Sequence, residues 1–135
     1  QCIIYVNYKN KLMDLYNKLI ENNYPVDYIH GEVTKDERES KLLNFKNGKT
    51  RILLSTDLLA RGIDVQQLNL VINFDLPKSK ETYVHRIGRS GRYGRKGVAI
   101  NFVNNRDIGY IKELEEHYHI QINDLPQNVN DIFNV

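Results

Sequence analysis

Short apolar runs alternate with helix-spaced apolar positions along most of this chain. Cys2-Ile3-Ile4-Tyr5-Val6-Asn7 is a continuous run of strand length, and Leu12, Leu15, Tyr16, Leu19 and Ile20 then recur at the i, i+3, i+4 spacing of one helix face. Pro25 interrupts, and Val26 to Ile29 reads as a second strand. Thr34-Lys35-Asp36-Glu37 has the form of a capping box and opens a helix carrying Leu42, Leu43 and Phe45, which Gly48 closes. The cycle repeats with strands at 51–56 and 70–74, a helix from Ser79 to Arg86, a strand from Val98 to Val103, and a helix carrying Ile108, Ile111, Leu114 and Tyr118. The tail from Ile120 to Val135, with Pro126 inside it, predicts a final edge strand and a packed end. Because the strands are apolar throughout, they predict a mostly parallel α/β sheet covered by helices on both faces. Ligands of such sheets bind at the carboxyl ends of the strands, where Asn7, His30-Gly31 and Thr56-Asp57 fall.

At 135 residues and 41% hydrophobic, the chain is long enough for one core and too short for two. The formal net charge is only +2, so placement of charge matters more than quantity. Cys2 is the only cysteine, which excludes an intramolecular disulfide or a thiolate metal cluster and favours a reducing compartment. His117 and His119 lack partners at metal-ligand spacing and read as surface residues near a helix end; no metal site is expected. No run has membrane-spanning length. The chain starts at Gln1, directly inside a strand-like run, and is expected to be part of a longer protein.

Charge is placed most unevenly in His85-Arg86-Ile87-Gly88-Arg89-Ser90-Gly91-Arg92 and the Tyr93-Gly94-Arg95-Lys96-Gly97 that follows; no Asp or Glu occurs from Thr82 to Arg106. Arginine keeps its charge at any working pH and matches phosphate oxygens two at a time, and neighbouring glycines let backbone turn tightly against a ligand. A collagen-like reading of the glycine spacing fails for want of proline and length. A disordered Arg/Gly tail fits poorly with an amphipathic segment on one side and a strand on the other. The strip is therefore expected to be a folded anion site.

Ser55-Thr56-Asp57-Leu58-Leu59-Ala60-Arg61-Gly62-Ile63-Asp64 crowds two aspartates, an arginine and a glycine behind a strand. Asp64 suits ribose hydroxyls and Thr56 a nucleic-acid phosphate; equally, Asp57 suits a turn cap and Arg61 an ion pair with Asp64. Two further matches carry no function. Gly48-Lys49-Thr50 lacks the phosphate loop's glycine five positions earlier, where Leu43 stands, and Ile52-Leu53-Leu54-Ser55-Thr56-Asp57 resembles a magnesium-holding strand that has no phosphate loop to serve. The chain has groups that reach into a triphosphate site and lacks those that bind triphosphate and metal in the first place.

Taken together and in order, Asn7, His30-Gly31, Arg38, Thr56-Asp57 through Asp64, Val71-Ile72-Asn73-Phe74-Asp75-Leu76-Pro77 and His85 through Arg92 resemble the second RecA-like domain of a DEAD-box RNA helicase. Asp64-Val65-Gln66-Gln67, the segment from Gly94 to Phe102, and Leu125-Pro126-Gln127-Asn128-Val129 resemble the initiation factor 4A branch of that family and its exon-junction paralogue.

The resemblance implies a RecA-like three-layer fold, with residues 1–135 forming the C-terminal half of a two-domain, ATP-dependent helicase. It implies that Arg89 and Arg92 are catalytic, that Asp64, Arg89, Ser90, Gly91, Arg92 and Tyr93 contact ATP, and that His85 couples the domains. Asn7, Gly31, Arg38, Thr56 and Asp57 would face the RNA backbone. ATP and Mg2+ would be held mainly by the N-terminal RecA-like half, leaving this half inactive alone. Partners implied are single-stranded or duplex RNA, that N-terminal half, and translation-initiation or exon-junction proteins, in the cytoplasm or alternatively the nucleus, with no membrane. Lys35 stands where the family usually has glutamine. The rivals are a stand-alone RNA-binding adaptor, against which the pairing of ribose-reading Asp64 with phosphate-reading arginines argues, and a DNA-directed helicase, against which His85 and the initiation-factor segments argue.

Overall fold

The computed structural model describes residues 1–56, 68, 70–87 and 97–128. Among these, five strands, β1 (Cys2–Tyr5), β2 (Val26–Ile29), β3 (Ile52–Ser55), β4 (Leu70–Asn73) and β5 (Val98–Asn101), form one parallel sheet in the order β2-β3-β1-β4-β5. Four helices connect or follow them: α1 (Lys9–Glu21), α2 (Lys35–Lys46), α3 (Lys80–Ile87) and α4 (Ile108–Tyr118), the last opened by a 3₁₀ turn at Asn105–Asp107. None of the described helices is long and apolar enough to cross a membrane.

Alternation along each strand divides the apolar side chains between two faces. Ile3, Tyr5, Ile29, Leu53 and Val71 pack on one face with Leu68 and with Leu42 and Phe45 of α2. Ile4, Val6, Leu54, Val26 and Tyr28 pack on the other with Leu12, Met13, Leu15, Tyr16 and Leu19 of α1. This is the three-layer arrangement that continuous apolar strands require. The strand ends lie in register, Ile29 beside Ser55, Ser55 beside Tyr5, Tyr5 beside Asn73, and Asn73 beside Asn101. Chain leaves β1 towards one edge of the sheet and β4 towards the other, so the crevice between their carboxyl ends is the topological switch point.

Local signals set most boundaries. The Thr34 hydroxyl accepts from the Glu37 amide and starts α2, while Gly48, at φ +83°, turns the chain away after Lys46. A Cβ at Gly48 would meet nothing within 4 Å, so its only penalty is the left-handed backbone. Gly48→Ala is expected to cost about 1 kcal/mol, whereas Gly109→Ala, in open space inside α4, should gain about 0.5–1 kcal/mol. Urea midpoints of the two variants check the pair, and losses at both positions would contradict it.

The tail differs from its sequence pattern. No strand follows α4 among the described residues; His119 takes a left-handed conformation at φ 53°, the Ile120 amide donates to the Glu115 carbonyl, and the Ile122 amide donates to Glu115 Oε2 at 3.0 Å. Two amides that an edge strand could have offered β5 are thus committed to the end of α4. His117 and His119 are exposed there, as the sequence suggested.

Candidate nucleic-acid interface

The carboxyl edge of β2 and β3 is built around a tight turn. The Val33 amide donates to the His30 carbonyl at 3.1 Å, and the Glu32 amide donates to His30 Nδ1 at 3.2 Å, leaving Gly31 exposed at the crest. His30 itself is fixed by stacking on Tyr28, with ring centroids 5.3 Å apart and 11° between planes; Tyr16 of α1 meets Tyr28 edge-on at 4.7 Å. Burial pushes His30 below its ordinary pKa, with Lys9 and Lys41 adding and Glu32 opposing, which favours the neutral imidazole whose Nδ1 accepts from the Glu32 amide. An ion pair between Lys9 and Glu32 ties the turn to the start of α1.

Thr56 and Arg38 flank this turn. The Thr56 amide donates to the Ile29 carbonyl at 3.2 Å, placing Thr56 beside His30-Gly31, and the Arg38 amide donates to Thr34 O at 2.9 Å in the first turn of α2. Thr56 Oγ1 and Arg38 Nε are both buried and have no hydrogen-bond partner among the described residues; Tyr110 Oη on α4 is in the same state. Buried donors without partners are rare because each forfeits its hydration. Thr56 and Arg38 are residues for which the family resemblance implies contact with an RNA backbone.

Asn7 is employed differently. Its amide donates to Asp75 Oδ2 at 2.9 Å, its Nδ2 donates to the Leu76 carbonyl at 2.8 Å, and its Oδ1 accepts from Arg86 Nη2 at 2.5 Å. Arg86 is fully buried, and its Nη1 also donates to Asn73 Oδ1 at 3.2 Å and to the Asp75 carbonyl at 2.7 Å. Asn73 Nδ2 in turn donates to Asn101 Oδ1 at 2.8 Å, and Asn101 Nδ2 to the Tyr83 hydroxyl at 3.0 Å. Burial raises the Tyr83 pKa, against the Asn101 hydrogen bond, which keeps that hydroxyl protonated. A polar seam therefore pins α3 to the ends of β1, β4 and β5.

The three-residue spacing of Arg86, Arg89 and Arg92 treats them alike, yet Arg86 is a buried strut whose guanidinium is committed to Asn7, Asn73 and the Asp75 carbonyl. Sequence reasoning missed this seam, although it left a signal. Asn73 and Asn101 are single polar residues in apolar strands, paired with each other in register.

His85 sits in the last turn of α3, partly exposed, with Nε2 3.5 Å from Glu81 Oε1. Arg89, Ser90, Gly91, Arg92, Tyr93, Asp57 and Asp64 lie outside the described residues. The structure thus places Thr56 beside the end of β2 that leads into the Gly31 turn, Arg38 in the first turn of the helix after it, and Asn7 one strand away: the Val6 amide donates to the Ser55 carbonyl at 3.0 Å.

A parallel sheet with this order and a polar carboxyl edge is shared by many nucleotide-driven proteins, and the chain narrows the class. Residues 1–94 match the helicase conserved C-terminal domain family. The chain belongs to that family, and within it to the DEAD-box RNA helicase C-terminal domains. It is 53% identical over 133 residues to the ATP-dependent RNA helicase eIF4A of Kluyveromyces lactis, covering 98% of this chain and 34% of the relative. Among solved structures it is similar to the C-terminal domain of the DEAD-box protein Dbp5, with TM-score 0.86 and 34% identity over 99% of this chain and 79% of that one. It is also similar to S. cerevisiae Dbp5 bound to RNA and ADP BeF3, with TM-score 0.89 and 35% identity over 97% of this chain and 36% of that one. The chain spans about a third of the length of the curated relatives it matches.

Proposed function

We propose that this chain is the C-terminal half of an ATP-dependent RNA helicase and works by closing against an N-terminal, ATP-binding half. The observation that carries the reading is the pair of buried, unpartnered donors, Thr56 Oγ1 and Arg38 Nε, beside the exposed Gly31 turn. Hydroxyl, guanidinium and exposed backbone together suit a sugar-phosphate strand, and none of them reads a base edge. Asp57 extends this face; Asn7 contributes chiefly by holding β1 against the segment after β4. On the other side of the domain's work, Arg89 and Arg92 stabilise the charge developing on the γ-phosphoryl group, Asp64 holds the ribose, and Ser90, Gly91 and Tyr93 line the nucleotide. His85, at the end of α3, transmits closure to that segment. ATP and magnesium are bound mainly by the other half, so the isolated chain has no RNA-stimulated ATPase activity.

Relatives named eIF4A favour translation initiation in the cytoplasm over nuclear RNA processing, with RNA and initiation proteins as partners. Nucleic-acid backbone contacts weaken with salt by a logarithmic slope of about 0.7 per phosphate neutralised on a single strand. In the complete protein with a non-hydrolysable ATP analogue, Arg38→Ala is expected to weaken binding equally for homopolymers of different base and to lower the salt slope by less than about one unit. Unchanged RNA affinity would instead make Arg38 a structural ion-pairing residue, with surface pairs worth about 1 kcal/mol at most.

A further inference from the structure

The switch-point crevice holds a second surface. A cleft of about 640 Å³ opens beyond the ends of β1, β4 and β5, lined in part by Asn7, Tyr8, Lys11, Phe74, Phe102 and Arg106. Tyr8 is 58% and Phe102 50% exposed, large values for rings in a chain that had room to bury them. Phe74 and Phe102 meet at 5.5 Å with their planes tilted by 53°, so they form one aromatic patch. Lys78 Nζ lies 5.5 Å from the Tyr8 ring centroid and Lys11 Nζ 5.1 Å from that of Phe74. The nearby carboxylates are committed inward: Asp75 takes the Asn7 amide and Lys11, and Asp107 Oδ2 takes the Asn104 amide at 3.0 Å. Lys78 and Arg106 are exposed at this rim.

Lys11 is itself paired with Asp75, so Lys78 and Arg106 are the cations that remain for a phosphate, and exposed rings beside them suit a stacked base followed by that phosphate. We propose that this cleft is a base-stacking platform for single-stranded RNA, continuing the strand that the Gly31, Arg38 and Thr56 face grips by its backbone; the inference rests on that reading. The two surfaces share one sheet edge. Asn7 lines the cleft, and β3 and β5 are three strand spacings apart, about 14 Å. Tyr8 and Phe102 supply π-faces, which every base can use, so the platform adds affinity with length and little sequence preference.

The test uses the complete protein with a non-hydrolysable ATP analogue and single strands of increasing length. Tyr8 makes no side-chain cap to α1, so Tyr8→Ala removes a ring without removing a helix cap. Tyr8→Ala with Phe102→Ala should weaken a long strand about five- to a hundredfold, leave the shortest bound strand unchanged, and leave thermal unfolding within a degree or two. Tyr8→Trp should restore part of the loss. Abasic residues at one end of the long strand should reproduce the loss in the unaltered protein. Equal losses on short and long strands, or none on either while Arg38→Ala weakens both, would overturn the platform and leave the backbone site standing. No effect of Arg38→Ala, with the length-dependent loss intact, would overturn the backbone assignment and keep the platform.

Discussion

Arg92→Lys in the complete protein is expected to lower RNA-stimulated ATP turnover by about 10³-fold or more while ATP affinity changes little. Lysine keeps the charge at this position and loses the planar fork that meets two oxygens at once. That fork is worth most when charge spreads over the transferring phosphoryl group, so its loss falls on turnover more than on binding. A loss of 10³ corresponds to about 4 kcal/mol of barrier, within reach of one fixed arginine. Arg95→Ala, three residues further along the same strip, is expected to lower turnover by less than about tenfold, because an arginine that only adds to a basic surface acts through screened, long-range charge. Steady-state kinetics with saturating RNA and a separate nucleotide titration check the pair. Equal losses at Arg92 and Arg95 would make the strip a diffuse patch and remove the finger.

Much of the fold was legible because buried parallel strands write themselves as continuous apolar runs, and the helices between them keep their spacing. Val98 to Val103 reads as one strand, yet β5 stops at Asn101; the Phe102 amide still donates to Asn73 O at 2.9 Å, after which Phe102 turns outward to Phe74. The described part of the tail, up to Asn128, forms no strand for a different reason. Its short apolar alternation is equally compatible with a strand and with packing against α4, and a carboxylate on α4, Glu115, decides between them. Gly31 and Thr56 stand out in the sequence because ligands of α/β sheets bind at the carboxyl ends of strands, whereas Arg38, inside α2, came only from the family resemblance. The part Asn7 plays as a strut could not be read from the sequence, since its partners Asp75, Leu76 and Arg86 are 68 to 79 positions away. Spacing alone could not separate Arg86 from the arginines after it. What marks Arg86 is its place on the side of α3 that meets the sheet, where it is fully buried.

Arg86→Met is therefore expected to destabilise the domain by about 3–5 kcal/mol, a large share of the 5–15 kcal/mol typical of a domain. Methionine fills much of the volume and removes donors that serve Asn7 Oδ1, Asn73 Oδ1 and the Asp75 carbonyl, leaving the Asn73 acceptor buried at a cost of about 1–3 kcal/mol and the two half-buried ones at less, since water can reach them. The guanidinium also lies 5.0 Å from the Tyr5 ring centroid, a contact that methionine replaces only in part. Relief of the cost of burying a charge works in the opposite direction, but it becomes a net gain only when the partners are made apolar too. Arg86→Met combined with Asn7→Leu should therefore lose less than the sum of the single changes. Arg92→Met should leave stability nearly unchanged, since its proposed partner belongs to nucleotide held by the other half. Urea unfolding of the four variants, Asn7→Leu alone among them, against the unaltered protein measures this directly. A loss below about 1 kcal/mol for Arg86→Met would mean that the seam relaxes around a missing strut, and α3 would then need another anchor to aim the segment that follows it.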